Sequence, residues 1–468
     1  MLIVLADLAL TYAQNCQLTI DGDLAAIVVP RADYAPVLHD PFGWMVLTTG
    51  GWCSAPNRFF SHIIMREYCL AAPLLLQAVA SPIASVYTAM ALLNTAVQAL
   101  LLYVLGWYAT GIRWLGSWQL WLAMALMTPF FQTTGYNGQM SVIDNSFTYN
   151  FFYAIPVLVL LVLLWPLYRA ARQRQPIRVA TPQLVAMLLL MVALAFSGPI
   201  IAGVALVLLL GVGWHLARQR WHLPARGWLI NIPWQAVLLW GWFSGLCTYS
   251  LYIGRHNTEN LTAIMALHKR YLLMPQGVWE ELTSKLGLPL LVLGCLANWQ
   301  LIRRLLPSAA EGQRIGLVLR YLGWFALVYI VLLPLGGYRN YRPLILRHDS
   351  IVPITVALIG FYGLSATYLL THLRGGVRRW YSAGVVAIAI IFTNADRKII
   401  SNNNNGRERR ALAILGWAGN KPVMQLPEKC TVMSWEPITN PNESLTNAKL
   451  LAYWGITPGQ TLYYYPTK

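Results

Sequence analysis

The stretch Thr19-Ile20-Asp21-Gly22-Asp23 sets two carboxylates two positions apart, and Asp33, His39 and Asp40 follow within the same polar segment. Carboxylates so placed can act as a general base toward a hydroxyl or as ligands for a divalent cation, Mg²⁺ or Mn²⁺. Asp-Gly is also a common turn dipeptide, so a solvated turn is the plainer alternative. No cysteine stands in a CxxC pair, which argues against zinc. Of the six cysteines, Cys53 and Cys430 both fall in segments expected outside the membrane and can pair if the compartment is oxidising, a pairing the sequence alone does not choose.

Cations gather in two further segments. One holds Arg255, His256, His268, Lys269 and Arg270; the other is Tyr338-Arg339-Asn340-Tyr341-Arg342-Pro343 followed by Arg347-His348-Asp349. Arg and Lys suit phosphate or pyrophosphate, Arg because its planar fork meets two oxygens at once. The structural alternative is that these cations pair with Glu259, Glu280, Glu281 and Asp349. A third element opens at Ser54-Ala-Pro56-Asn57, a helix-start pattern. Beyond it Arg58, His62 and Arg66 recur every four residues, with Phe59, Phe60, Ile63 and Ile64 on the other side. That pattern predicts a helix lying in the interface with its cationic stripe toward lipid phosphates. Trp44, Trp52, Tyr136, Tyr149, Phe151, Phe152, Tyr338 and Tyr341 fit an interfacial aromatic belt, and stacking on sugar rings cannot be assigned to any one of them.

The elements that must position these residues are transmembrane helices. Of 468 residues 57% are hydrophobic and only 11% charged, with a mean hydropathy of +0.51, whereas soluble domains are roughly a quarter charged. Apolar runs recur at lengths that cross a hydrocarbon core, which takes about 20 helical residues. Runs such as Val157 to Trp165 lack the alternation of barrel strands. Spans are predicted near 1–13, 84–106, 114–134, 149–168, 182–196, 199–216, 228–252, 286–302, 315–335, 351–372 and 379–394, about eleven in all. The first is short; either the start of the chain is missing, or the helix runs on through Thr11 and Ala13, and the rival reading is that Thr11-Tyr12-Ala13 is a cleavage site. The missing basic n-region favours the helix.

The net charge of +17 would suggest nucleic acid in a soluble protein, yet most of the Arg lies in short connections between spans. Arg169, Arg172, Arg174 and Arg178, then Arg218, Arg220 and Arg226, then Arg303, Arg304 and Arg314, then Arg374, Arg378 and Arg379 fall on one side if the N-terminus is cytoplasmic. Nucleic acid is thereby excluded as a partner. Leu184 to Val212 has Arg-rich segments at both ends and is interrupted at Ser197-Gly198-Pro199, which predicts a helical hairpin. The acidic and basic segments above then share the non-cytoplasmic side, in loops 14–83, 135–148, 253–285 and 336–350.

The organisation expected is a transmembrane helical domain over 1–394 and a small external α/β domain over 395–468. In the latter, Asn402 to Asn405 reads as loop, Glu408 to Trp417 and Ser444 to Tyr453 as helices, and Cys430 to Trp435 and Thr461 to Tyr465 as strands.

An acidic loop directly after the first span (Asp21, Asp23), an interfacial helix near Asn57 to Leu76 and a small terminal domain on the same side resemble the GT-C superfamily of multi-pass membrane glycosyltransferases, in particular the bacterial type that uses polyprenyl-phosphate sugars. The resemblance covers the whole chain as architecture. It implies an all-α polytopic fold with the C-terminus external, in a bacterial inner membrane. The implied reaction moves a sugar from a polyprenyl-phosphate donor to a glycan, lipid or protein acceptor. The family's catalytic acid falls on Asp21 or Asp23, and its lipid-phosphate cations fall on Arg339, Arg342 and Arg347. The first loop holds Asp-Gly-Asp rather than an adjacent acidic pair, a departure that bears on metal dependence. The rival from another class is a transporter or flippase of a lipid-linked or anionic substrate, with the Ser197-Gly198-Pro199 break as its gate.

Overall fold

In the computed structural model the protein is built almost entirely of helices. The structure describes residues 1–220, 233–262, 264–307, 310–397, 405–419 and 421–466; Arg226 and Asn402–Asn404 lie outside the described residues. The principal helices are α1 (Leu2–Asn15), α2 (Phe59–Leu76), α3 (Pro82–Thr110), α4 (Trp118–Met127), α5 (Ala154–Gln173), α6 (Thr181–Ala195), α7 (Pro199–Arg220) and α8 (Trp234–Gly254). They continue with α9 (Leu267–Thr283), α10 (Gly287–Leu305), α11 (Ala310–Leu332), α12 (Val352–His372), α13 (Gly375–Asp396), α14 (Gly406–Gly416) and α15 (Leu445–Tyr453).

Among the described residues, seven helical segments are long and apolar enough to cross a membrane, and an eighth arises if α9 and α10, bent by 82° at their junction, count as one broken span. This is the property of an integral membrane protein. The count differs from the eleven spans expected for local reasons. Helices α1 and α6 are apolar but short. Helix α4 stops at Met127 and passes into a 3₁₀ turn at Thr128–Phe130. By contrast α2, expected to lie in the interface, meets the length and hydropathy of a span.

Local chemistry explains the boundaries. Helix α3 starts where the Ser81 hydroxyl accepts from the Ala84 N–H at 3.3 Å and Pro82 fills the first position. It stops at Gly111, whose φ of +78° ends the turn. Helix α12 is the centre of the bundle, covered by neighbours along almost its whole length. Close approach there rests on small residues: a Cβ on Gly363 would meet the Met127 sulfur at 2.5 Å.

A polar seam runs beside this apolar core. Gln98 donates to Asp7 at 3.1 Å and to the Thr11 hydroxyl at 3.2 Å, Asn94 donates to Asn15 at 2.7 Å, and Asn150 donates to Asn94 at 3.0 Å. These amides join α1, α3 and the short helix Phe147–Phe152. With no water to satisfy them in an apolar medium, buried amides must find one another.

Helices α6 and α7 double back on each other. Trp242 of α8 donates to the Leu188 carbonyl of α6 and neighbouring Trp240 donates to the Leu209 carbonyl of α7, so both helices pass the same level of α8. The reversal falls at Ser197–Gly198, with Gly198 at φ +126°. This is the hairpin the arginine pattern required. The arginines at the other end of the bundle also cluster. Arg172 and Arg314 both meet Glu311, and Arg314 donates to the Tyr168 hydroxyl at 2.9 Å.

The C-terminal unit docks on the first loop and on α2 and α3. Buried Glu408 accepts from the Ile20 N–H at 3.0 Å, the Tyr87 hydroxyl at 2.9 Å and the Met433 N–H at 3.1 Å. Trp454 donates to the Cys69 carbonyl at 2.9 Å. A parallel pair, β1 (Val423–Gln425) and β2 (Leu462–Tyr464), closes the unit, with Val423 opposite Leu462. The segment Cys430–Trp435, expected as a strand, is irregular. Asn447 and the Tyr463 hydroxyl hold its Val432 carbonyl, and Met433 sits at φ +46°. The cysteines are free. Cys53 forms a backbone bridge to Asn257 while the Cys430 thiol lies 2.9 Å from the Tyr465 hydroxyl, so these two, whose pairing the sequence left open, are not joined.

Candidate functional site

The loops expected on one side of the membrane do converge at one end of the bundle. Asp21 bonds to Thr148, Arg339 to Glu259, Arg342 to Tyr153, and Trp435 to Asp23. The end so formed contains the reversal of α6 and α7, since Phe60 of α2 donates its N–H to the Phe196 carbonyl.

The two loop carboxylates have different surroundings. Asp21 is buried and accepts from the Thr148 N–H at 2.9 Å, the Thr148 hydroxyl at 2.7 Å, and the backbone N–H groups of Asp23 and Leu24, each at 3.1 Å. Burial pushes its carboxyl up and the Thr148 and Asp23 hydrogen bonds pull it down; burial wins. Asp23 is only partly covered. Its Oδ1 accepts from the Trp435 indole at 3.2 Å, and among the described residues nothing donates to Oδ2. Burial, reinforced by the Asp21 charge and further by Glu259, raises Asp23 to about 6, against the pull of the Trp435 N–H and the Arg58 charge. Asp21 therefore fastens the first loop to the Phe147–Phe152 helix, and Asp23 keeps a free oxygen.

Three arginines lie against Phe152, Tyr153 and Tyr149. Arg342 donates to Asp349 Oδ2 at 2.7 Å and to the Tyr153 hydroxyl at 2.7 Å. Arg347 donates to the same Asp349 oxygen and lies over the rings of Tyr149 at 5.5 Å and Tyr341 at 5.2 Å. Asp349 is fully buried, so one carboxylate balances two guanidinium groups. Arg58, at the start of α2, lies 4.7 Å over the Phe152 ring, and its guanidinium makes no hydrogen bond or ion pair with any described residue. Burial works against its charge, while Tyr153, Glu259, Tyr341 and Tyr34 favour it and prevail. The result is two guanidinium groups on one carboxylate, Asp349, and a third, Arg58, that acts on Asp23 by its charge.

The other cations are placed less suggestively. Arg339 is bound by Glu259 at 2.8 Å and Asn260 at 2.7 Å. Arg270 donates to the carbonyls of Met265 and Pro334 at 2.8 and 3.0 Å, a loop brace. Arg255 and Lys269 are exposed. The His256 ring lies 5.1 Å from Trp52. His348 lies 3.4 Å from Asp144, which also accepts from the Ser141 hydroxyl at 2.9 Å. The structural alternative thus holds for Arg339 with Glu259, and for Arg342 and Arg347 with Asp349.

The cationic stripe expected on α2 does not face lipid. His62 is buried at 1% exposure between the rings of Tyr34 and Phe152, and Arg58 turns toward Phe152 as well. Arg66 instead pairs with its neighbour Glu67. The reason is packing: the same face carries buried Met65 and Cys69.

Among the described residues no group of three or more His, Cys, Asp and Glu side chains is placed to hold a metal ion. Asp21, the best-placed ligand by sequence, spends its oxygens on four backbone and hydroxyl donors. The donor set does not fit Mg²⁺ or Mn²⁺. Tyr153, Tyr149 and Trp435 were not assignable from the sequence as site residues, Trp435 least of all, because its partner is 412 positions away. The chain matches no protein-family model, no curated protein and no solved structure.

Proposed function

We propose that the chain is a membrane glycosyltransferase of GT-C type that moves a sugar from a polyprenyl-phosphate donor to an acceptor hydroxyl on the non-cytoplasmic face. The observation that carries this reading is the presence, in one loop cluster, of a carboxylate having a free oxygen, Asp23, and of three guanidinium groups, Arg58, Arg342 and Arg347, of which two share the single carboxylate Asp349. A transfer from a lipid phosphate needs both parts. The acceptor oxygen bonds to the anomeric carbon as the bond from that carbon to the phosphate oxygen breaks. The phosphate leaves with the electron pair, and the hydroxyl proton passes to Asp23. Arginines in a partly dry site stabilise the charge that develops on the phosphate. The opposite end of the bundle carries the Arg172–Glu311–Arg314 group, which supports a cytoplasmic assignment for that end and an external one for the C-terminal unit.

The test is turnover by the purified protein in nanodiscs. Donor-dependent release of polyprenyl phosphate, weakened in Arg342→Ala, is expected. Binding of the lipid without turnover, with glycan, lipid and protein acceptors all supplied, would remove the transferase reading. One observation favours a second reading, a transporter or flippase of a lipid-linked anionic substrate. A Cβ built on Gly198 at the reversal would lie 3.5 Å from the Arg58 side chain, and a broken helix can gate an anion site. The two differ in whether the lipid-linked sugar is consumed or only relocated.

A further inference from the structure

We infer that Trp435, with Tyr149 and Tyr341, forms a platform for a hexopyranose ring at the mouth of the site, so that the C-terminal unit supplies the sugar-recognition element; this rests on the transferase reading. Trp435 is 55% exposed and Tyr341 is 48% exposed, so both rings are open to a ligand. They belong to one continuous row. Trp435 and Tyr149 have ring centroids 6.0 Å apart, Arg347 lies 5.5 Å over Tyr149, and the same guanidinium lies 5.2 Å over Tyr341. Arg342 follows at 5.4 Å from the Tyr341 ring. The row begins at Asp23, through the Trp435 N–H, and ends at the arginines that hold Asp349.

The chemistry of the row selects its ligand. An aromatic face is electron-rich and takes the weakly positive C–H groups on the apolar side of a pyranose ring. The carboxylate and guanidinium groups at the edges of the same rings suit the ring's hydroxyls. A lipid tail would gain nothing from the charged groups, and a bare anion would gain nothing from the exposed indole. An interfacial belt does not account for Trp435 either. Belt residues sit at the ends of spans with polar edges toward headgroups, whereas Trp435 comes from the C-terminal unit and points its N–H at Asp23. Its placement is built: Met433 at φ +46° turns the chain, and a Cβ on Gly22 would lie 2.6 Å from the Trp435 backbone nitrogen, so only glycine lets the two loops meet.

A pyranose on this platform can belong to the donor or to the acceptor, and binding measurements on the full-length protein in nanodiscs separate them. The probes are undecaprenyl phosphate, its glucose, mannose and galactose esters, and the free methyl glycosides of the same sugars. At least one ester is expected to bind more tightly than the bare lipid phosphate. Trp435→Ala is expected to erase that gain, on the order of tenfold, with undecaprenyl phosphate itself bound as before, and Trp435→Phe to keep most of it. Loss of methyl-glycoside binding with the ester gain intact would place the acceptor sugar on the platform instead. Equal binding of all probes by wild type and Trp435→Ala overturns the platform, even where Arg342→Ala still abolishes binding of the lipid phosphate. Failure of undecaprenyl phosphate to bind at all sinks the transferase reading, and the methyl-glycoside arm then still decides whether Trp435 holds a sugar.

Discussion

Arg342 and Asp349 are joined at 2.7 Å, and the acceptor oxygen of that bond is the one Arg347 also uses. Two cations on one buried oxygen leave the pair short of negative charge, which a phosphate group can supply. Removing the carboxylate should therefore hurt stability and leave two buried guanidinium groups uncompensated. Asp349→Ala is expected to cost about 3–5 kcal/mol, read as a lowered melting midpoint in detergent. Added undecaprenyl phosphate should recover part of the loss. An unchanged midpoint would mean the trio is not an electrostatic unit.

Asp23→Asn should reduce transfer at least ~100-fold while donor binding persists, the usual scale for a removed general base. Asp21→Asn should act differently, lowering folded yield, since it disturbs the bonds to Thr148. Equal loss of activity at equal folded yield in both variants would contradict this division of labour.

A pH profile follows from the same carboxylate. Asp23 must be ionised to accept a proton, and its surroundings raise it to about 6. Turnover should climb as pH rises through about 6 and level off above it. A rate already flat between pH 5 and 8 would exclude Asp23 as the base.

Glu408 predicts a stability trend of the opposite sense. Its folded-state value is raised, mainly by burial, from 4.5 to about 7. A carboxyl raised on folding contributes stability that is fully present below its unfolded value and is lost as pH rises through the folded value. The docking of the C-terminal unit should thus weaken between about pH 4.5 and 7, and Glu408→Gln should flatten that decline. Limited proteolysis of the C-terminal unit across this range reads the effect directly.

The polar seam gives a packing test. Asn94→Ala strands its partners Asn15 and Asn150, at a cost of roughly 0.5–2 kcal/mol. The Asn94→Ala, Asn150→Ala double variant should lose less than the sum of the two single losses. Strict additivity would mean the amides do not act as a chain.

What could be read from the chain alone was whatever is local. Apolar runs such as Val157–Trp165 declare a helix because lipid leaves the backbone no other partner, and the arginines flanking Leu184–Val212 force a reversal at Ser197–Gly198. The choice between Asp21 and Asp23 was not local, because it depends on Thr148, 127 positions away. Likewise the alternation of Arg58, His62 and Arg66 reads as an exposed stripe until Phe152 and Tyr34 are known to cover His62. Trp435 was hidden twice: its own segment looked like a strand, and its partner lies at the far end of the chain.

The bond from Ile20 to Glu408 joins positions 388 residues apart. Synthesis must therefore reach position 408 before the first loop acquires this anchor, and position 435 before Asp23 has its indole neighbour. A chain still being inserted, or one cut short within its final segment, would hold its arginines without the finished pocket.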